Sequence, residues 1–255
     1  MLTHSLDHSR LGTIVIETTN PNIDQAMIER VLTSHKMISW LDGMDPKMGL
    51  VGIKIRDVVM FGPERVGRVL FDMVCEPDGV RSAFDKTVCL WGAAVHALIV
   101  LRCEGQEFVI FTEQKRECVG RMNLLELPAG LCDDEENSLD VMVREIEEET
   151  GITARPEALI NLSRMAYGQT FPGVYLSAGG TDEYTILYLL QTVATREEVN
   201  AINGRKTGLA AEGENITLRV IPISEAPFRS PDAGSLSALF FYQIFKEQRL
   251  EKQLI

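Results

Sequence analysis

Between Ser138 and Thr150, the apolar residues Leu139, Met142, Val143 and Ile146 recur at the i, i+3, i+4 and i+7 spacing of one α-helical face. Ser138 is a favourable N-cap, and Gly151 stands where a left-handed C-cap belongs. The helix is well specified, and its apolar stripe requires a core to receive it. Its charges are not arranged for stability. Glu145, Glu148 and Glu149 lie at i, i+3 and i+4, so they project from one side. Like charges at those spacings cost a helix a few tenths of a kcal/mol per pair. Acids near a C-terminus also oppose the helix dipole. A solvated acidic face is the ordinary explanation of such a run. Three carboxylates held against both effects make sense if a hard divalent cation binds them. Magnesium suits them, because it takes oxygen ligands and shares itself with substrate phosphates.

Nine acids against one arginine between Leu131 and Thr150 account for −8 of a formal net charge of −12. The acidity is therefore local, which again favours a cation. A chain of this balance lacks the cationic footprint that nucleic-acid binding needs. The longest nearly apolar run, Thr87 to Leu101, is shorter than the roughly 20 residues of a membrane span and reads as buried sheet. Nothing at the N-terminus resembles a secretory signal. Five scattered cysteines without a CxxC pair argue against a disulfide framework or zinc site and fit a cytoplasmic protein.

The segment Gly130 to Ile152 resembles the Nudix box, Gly-x5-Glu-x7-Arg-Glu-U-x-Glu-Glu-x-Gly-U with U a bulky apolar residue. It matches at all nine defined positions: Gly130, Glu136, Arg144, Glu145, Ile146, Glu148, Glu149, Gly151 and Ile152. The resemblance implies an α/β fold, a Nudix α/β/α sandwich around a mixed sheet, with the box as loop–helix–loop. It implies a catalytic group of Glu145, Glu148, Glu149 and Arg144, with Arg144 orienting the glutamates. Glu145 and Glu149 are implied as direct metal ligands, Glu148 as a further ligand or water contact, and the carbonyl of Ala129 as completing the site. Glu136 is implied to be a structural member of the box. The cofactor implied is Mg2+, with Mn2+ as an alternative.

Flanking segments resemble the ADP-ribose and sugar-nucleotide pyrophosphatases of that family. They are Thr112-Glu-Gln-Lys-Arg116, Leu125-Glu-Leu-Pro-Ala-Gly130 and Ser177-Ala-Gly-Gly-Thr-Asp-Glu183, where Ala178 replaces the usual proline. Val58 to Arg68 and Lys206 to Glu214 are similar to the plant-type ADP-sugar diphosphatases, so the likeness runs from about residue 24 to 245. It implies that Arg116 meets a substrate phosphate, with a surface ion pair as the plainer reading, and that Glu183 contacts substrate or a second metal or else caps its loop. Glu212 is nominated as general base on a loop beyond the box, with Glu214 as the alternative and a solvated loop acid as the plain reading of either. The activity expected is hydrolysis of a nucleoside diphosphate sugar, an ADP-sugar, to AMP and a sugar phosphate. UDP-glucose is the alternative substrate, and a non-catalytic ADP-ribose-binding module the alternative class; such modules typically lose the box glutamates, which are all present here. An EF-hand between Asp133 and Asp140 is rejected, since the glycine at its sixth position is absent.

The rest of the chain divides into an N-terminal β-rich domain, 1–85, expected to make the homodimer and to contact substrate, and a hydrolase domain, 86–255. Residues 1 to about 20 read as loosely structured. Ile23, Met27, Val31 and Leu32 are spaced for a helix, and strands are expected at Val51–Val59 and Val66–Val74, joined by a turn at Gly62–Arg65. Further strands are expected at Ala93–Leu101, Glu107–Thr112, Thr185–Leu190 and Thr217–Ile223, with a closing helix from Leu236 to Leu254. His96, in an apolar strand, reads as a satisfied core residue.

Overall fold

The computed structural model of the protein describes residues 1–132, 137–209 and 214–253. They form two compact units: Met1–Ala93 with Ser177–Glu183, and Ala94–Cys132 with the described parts of 137–176 and 184–253.

In the first unit, strands β1 (Leu2–His8), β2 (Gly12–Thr18), β3 (Leu50–Phe61), β4 (Arg65–Cys75) and β5 (Lys86–Leu90) form a mixed sheet in the order β1-β2-β3-β4-β5. Neighbours are antiparallel except β2 and β3, and the crossover between those two carries helices α1 (Gln25–Thr33) and α2 (His35–Gly43). Asp24 caps α1 by accepting the Met27 N–H at 2.8 Å. The two helices and the sheet enclose Ile14, Ile16, Ile28, Val31, Met37, Ile53 and Phe71. The expectation of a loose N-terminus is overturned. Ile14 and Ile16 alternate into this core at 0 % exposure, and Gly12, at φ +79°, turns the chain back onto β1. The short run Ile14-Val15-Ile16, between Thr13 and Glu17, does not stand out without the sheet it joins.

The second unit is built on strands β6 (Ala93–Cys103), β7 (Gln106–Arg116), β8 (Arg121–Glu126), β9 (Ala129–Leu131), β10 (Leu159–Asn161), β11 (Val174–Tyr175), β12 (Tyr184–Val193), β13 (Lys206–Thr207) and β14 (Ile216–Pro222). Among the described residues the sheet runs β10-β12-β6-β7-β14-β13, with β9 also on β6, β8 on β7 and β11 on β12. Helices α3 (Ser138–Thr150) and α5 (Arg196–Ile202) cover one face, burying Val141, Met142, Ile146 and Val199 against Val95, Ile99, Leu101 and Leu218. Helices α4 (Leu162–Tyr167), α6 (Ala226–Arg229) and α7 (Ala233–Gln253) cover the other, with Leu162, Ala226, Ala238 and Leu239 on Leu98, Val100, Val109 and Phe111. This is an α/β/α sandwich. Its central strand β6 is apolar almost throughout because both faces are covered.

Candidate active site

Helix α3 is capped by Asn137, whose side chain accepts the Leu139 N–H at 3.1 Å, and not by Ser138 as expected. The Ser138 hydroxyl lies 2.8 Å from the Tyr188 hydroxyl of β12, a long-range partner that draws it away from capping. At the other end Gly151 takes φ +65° and donates its N–H to the Glu147 carbonyl at 2.8 Å. Arg205 donates to the Thr150 carbonyl, and Thr207 Oγ1 donates to the Glu149 carbonyl at 2.5 Å. The last carbonyls of the helix thus find partners in and beside β13.

The buried face of α3 comprises Val141, Met142, Ile146, Glu149 and Thr150, while Leu139 and Val143 are half-buried. Glu149 lies inside at 4 % exposure, where its Oε2 accepts the Ala129 N–H at 2.9 Å. Burial lifts its pKa to about 8, the charges of Glu145 and Glu214 add to this, and the Ala129 N–H partly counters it. Glu145 packs on Gly130 so closely that a Cβ there would force its carboxyl group to shift. Burial raises Glu145 to about 7, helped by the charges of Glu148 and Glu214 and opposed by Arg144. Arg144 pairs with Glu145 at 3.1 Å and with Glu148 at 2.9 Å, bracing both acids from the solvent side.

Around this group stands Arg116, at the end of β7, whose Nε lies 2.7 Å from Glu126 Oε2. Glu126 was not singled out by sequence. Burial raises its pKa, the guanidinium opposes the rise, and Asp232 adds to it. Glu126 follows Leu125 within a segment that carries the resemblance, yet only the pairing of β7 with β8 brings it within reach of the long Arg116 side chain. Glu214 accepts the Leu209 N–H at 3.4 Å, and its charge reaches both Glu145 and Glu149. Glu212 and Glu136 lie outside the described residues. Glu183 belongs to the first unit, where its N–H donates to Thr181 Oγ1 at 3.3 Å. The loop that carries it is latched by Asp182, which accepts the N–H groups of Trp91 at 2.7 Å and Gly92 at 3.1 Å.

Among the described residues no three His, Cys, Asp or Glu side chains are gathered at metal-ligand distance, and Glu145 and Glu148 are instead paired with Arg144. The donor set nonetheless fits a hard divalent cation. Burial raises the pKa of both Glu145 and Glu149, and a divalent cation held by their oxygens would offset the cost of ionising them there.

A family model described as NUDIX domain matches residues 91–240. Nudix hydrolase 14, chloroplastic, of Arabidopsis thaliana is 28% identical over 245 residues, which span 92% of this chain and 79% of that protein. A crystal structure of an ADP compounds hydrolase shares the fold with a TM-score of 0.50 at 17% identity, covering 79% of this chain and 97% of the other. Among the described residues no helix is long and apolar enough to cross a membrane.

Proposed function

The chain belongs to the Nudix family and is a pyrophosphohydrolase, and from that premise we propose that it hydrolyses a nucleoside diphosphate sugar, an ADP-sugar such as ADP-glucose or ADP-ribose, to AMP and a sugar phosphate. The observation that carries this reading is the pair Glu145 and Glu149, kept in a buried setting on Gly130 and Ala129 where their own helix is weakened by them. Glu145, Glu149, Glu148 and the Ala129 carbonyl would hold Mg2+ or Mn2+. When bound, such an ion screens the diphosphate oxygens and lowers the pKa of its water. Arg144 keeps Glu145 and Glu148 aimed through its two ion pairs. Arg116 is 44 % exposed and can turn from Glu126 to a substrate phosphate, a task suited to a guanidinium. Glu212 takes the proton of the attacking water, with Glu214 as the alternative base.

The choice of an ADP-sugar rests on the likeness of the flanking segments Val58–Arg68, Ser177–Glu183 and Lys206–Glu214. The N-terminal β-rich region, 1–85 in our division of the chain, makes a homodimer in this reading and Glu183 contacts substrate or a second metal. Five free cysteines accord with the cytoplasm.

Release of AMP or UMP from ADP-ribose, ADP-glucose, UDP-glucose and a dinucleoside polyphosphate, each with and without magnesium, tests the proposal. Magnesium-dependent AMP release, fastest from an ADP-sugar, is expected. Faster UMP release moves the substrate to a uridine sugar. No release from any of them with magnesium overturns it.

A further inference from the structure

Helix α7 begins with a hydrogen-bonded serine that reaches the segment carrying Ala129. Ser235 is fully buried, at 0 % exposure. Its hydroxyl donates to Asp232 Oδ2 at 2.7 Å and accepts the Leu127 N–H at 3.0 Å. Asp232 Oδ2 also accepts the Ser235 N–H at 2.7 Å, so one carboxylate fixes both the helix start and the direction of the hydroxyl. Just upstream, Ser230 Oγ donates to the Leu125 carbonyl at 2.6 Å. Leu125 and Leu127, two apart on an extended chain, present these groups on the same edge, and the two serines satisfy it as a neighbouring strand would.

The segment is held at each following step. The Pro128 carbonyl accepts the Ala97 N–H at 2.8 Å, Ala129 pairs with His96, and the Ala129 N–H bonds Glu149. His96 leaves α7 no slack. Its Nδ1 lies 2.6 Å from Thr185 Oγ1, and a Cβ on Gly234 would come within 2.8 Å of its Nε2.

We propose that Ser235, oriented by Asp232, is a positioning residue that holds Leu127–Ala129 so that the Ala129 N–H stays on the Glu149 carboxylate. Its effect on turnover rests on the function proposed above; its effect on the Ala129 amide does not.

Ser235→Ala leaves the Leu127 N–H without its acceptor. Ser163→Ala is the matched control, because the buried Ser163 hydroxyl accepts the Leu187 N–H at 2.9 Å and so leads into β12 instead. Both variants orphan a buried amide, so both lose stability. Amide exchange at Ala129, followed by NMR, separates them. Ser235→Ala is expected to speed that exchange at least about tenfold beyond the control, a local opening that global stability does not account for. It should also lower kcat about tenfold with KM within about twofold, the signature of a misplaced group. Ser163→Ala should keep the wild-type kcat. Asp232→Asn keeps the hydroxyl and orients it less well; it should move exchange and kcat the same way by less, and it carries the test if Ser235→Ala does not fold. Exchange equal to the control overturns the proposal whatever the rate does, and so does faster exchange with kcat unchanged. Should the wild-type protein cleave no nucleotide sugar, the functional reading fails while Ala129 exchange still decides the role of Ser235.

Discussion

Helices α3 and α5 both gather glutamates, at opposite ends and with opposite consequences. In α5, Glu197 and Glu198 occupy the first turn, where the dipole and unpaired N–H groups favour anions. Thr195 Oγ1 accepts the Glu198 N–H at 3.2 Å while Glu198 Oε2 accepts the Thr195 N–H at 2.7 Å, a reciprocal cap. Those hydrogen bonds hold the Glu198 carboxyl below its ordinary pKa. In α3 the glutamates crowd the C-terminal half, against the dipole, and burial drives Glu149 up to about 8. One helix is strengthened by its acids and the other is burdened by them. A solvated charged face would resemble α5; acids kept where they weaken their own helix mark the place where a ligand is expected to offset the cost.

The sharpest way to break this contrast is Glu149→Gln. If Glu149 is the ligand proposed, its loss removes several kcal/mol of transition-state stabilisation, and kcat should fall about a thousandfold or more. The metal-free melting temperature should hold or rise, because a neutral amide replaces an acid that burial disfavours. A stable variant with unchanged magnesium-dependent turnover would remove α3 from the chemistry.

Next in size is Glu212→Ala, expected to slow turnover by about 10²–10⁴-fold with little change in melting temperature, as removal of a general base does. A loss below about tenfold, with a larger one in Glu214→Ala, would transfer the role to Glu214.

The two helices should also answer pH in opposite senses. Glu149 and Glu145 have folded pKa values of about 8 and about 7, above their ordinary value, so the folded state holds protons there that the unfolded chain has released. Their contribution to stability is whole below the ordinary carboxylate pKa and is lost as pH rises through about 8. Glu198, with its pKa lowered, contributes above its ordinary value and loses that contribution as pH falls through the folded one. Melting curves in chelator from about pH 5 to about pH 8.5 should slope downward for the wild type and less for Glu149→Gln. Equal slopes would mean that Glu149 is not titrating within the fold. The smallest effect belongs to α5. Thr195→Ala should cost about 1 kcal/mol by denaturant unfolding and leave kcat unaltered, since it removes only a helix cap.

How much of this was legible beforehand depends on the distance over which each feature is decided. The start of α3 at Ser138, its close at Gly151 and the common side of Glu145, Glu148 and Glu149 follow from spacings within four residues. Strands β3 and β4 contain the expected segments because alternation and the Gly62 turn are local signals. The cap at Asn137 was missed because the rival claim on Ser138 comes from Tyr188, far along the chain. The N-terminal hairpin was missed for the same reason, since β2 finds its parallel partner in β3 only across two helices.

The amino-acid order by itself determined that three acids would share one side of a capped helix following Gly130, because helix geometry is set by neighbours in the chain. Tertiary structure alone decided that Glu149 would be buried on the Ala129 N–H, that Glu148 would stay partly exposed and paired with Arg144, and that Arg116 would face Glu126. Desolvation, which separates these otherwise identical carboxylates, depends on which strands pack over them, and packing joins residues that the sequence keeps far apart.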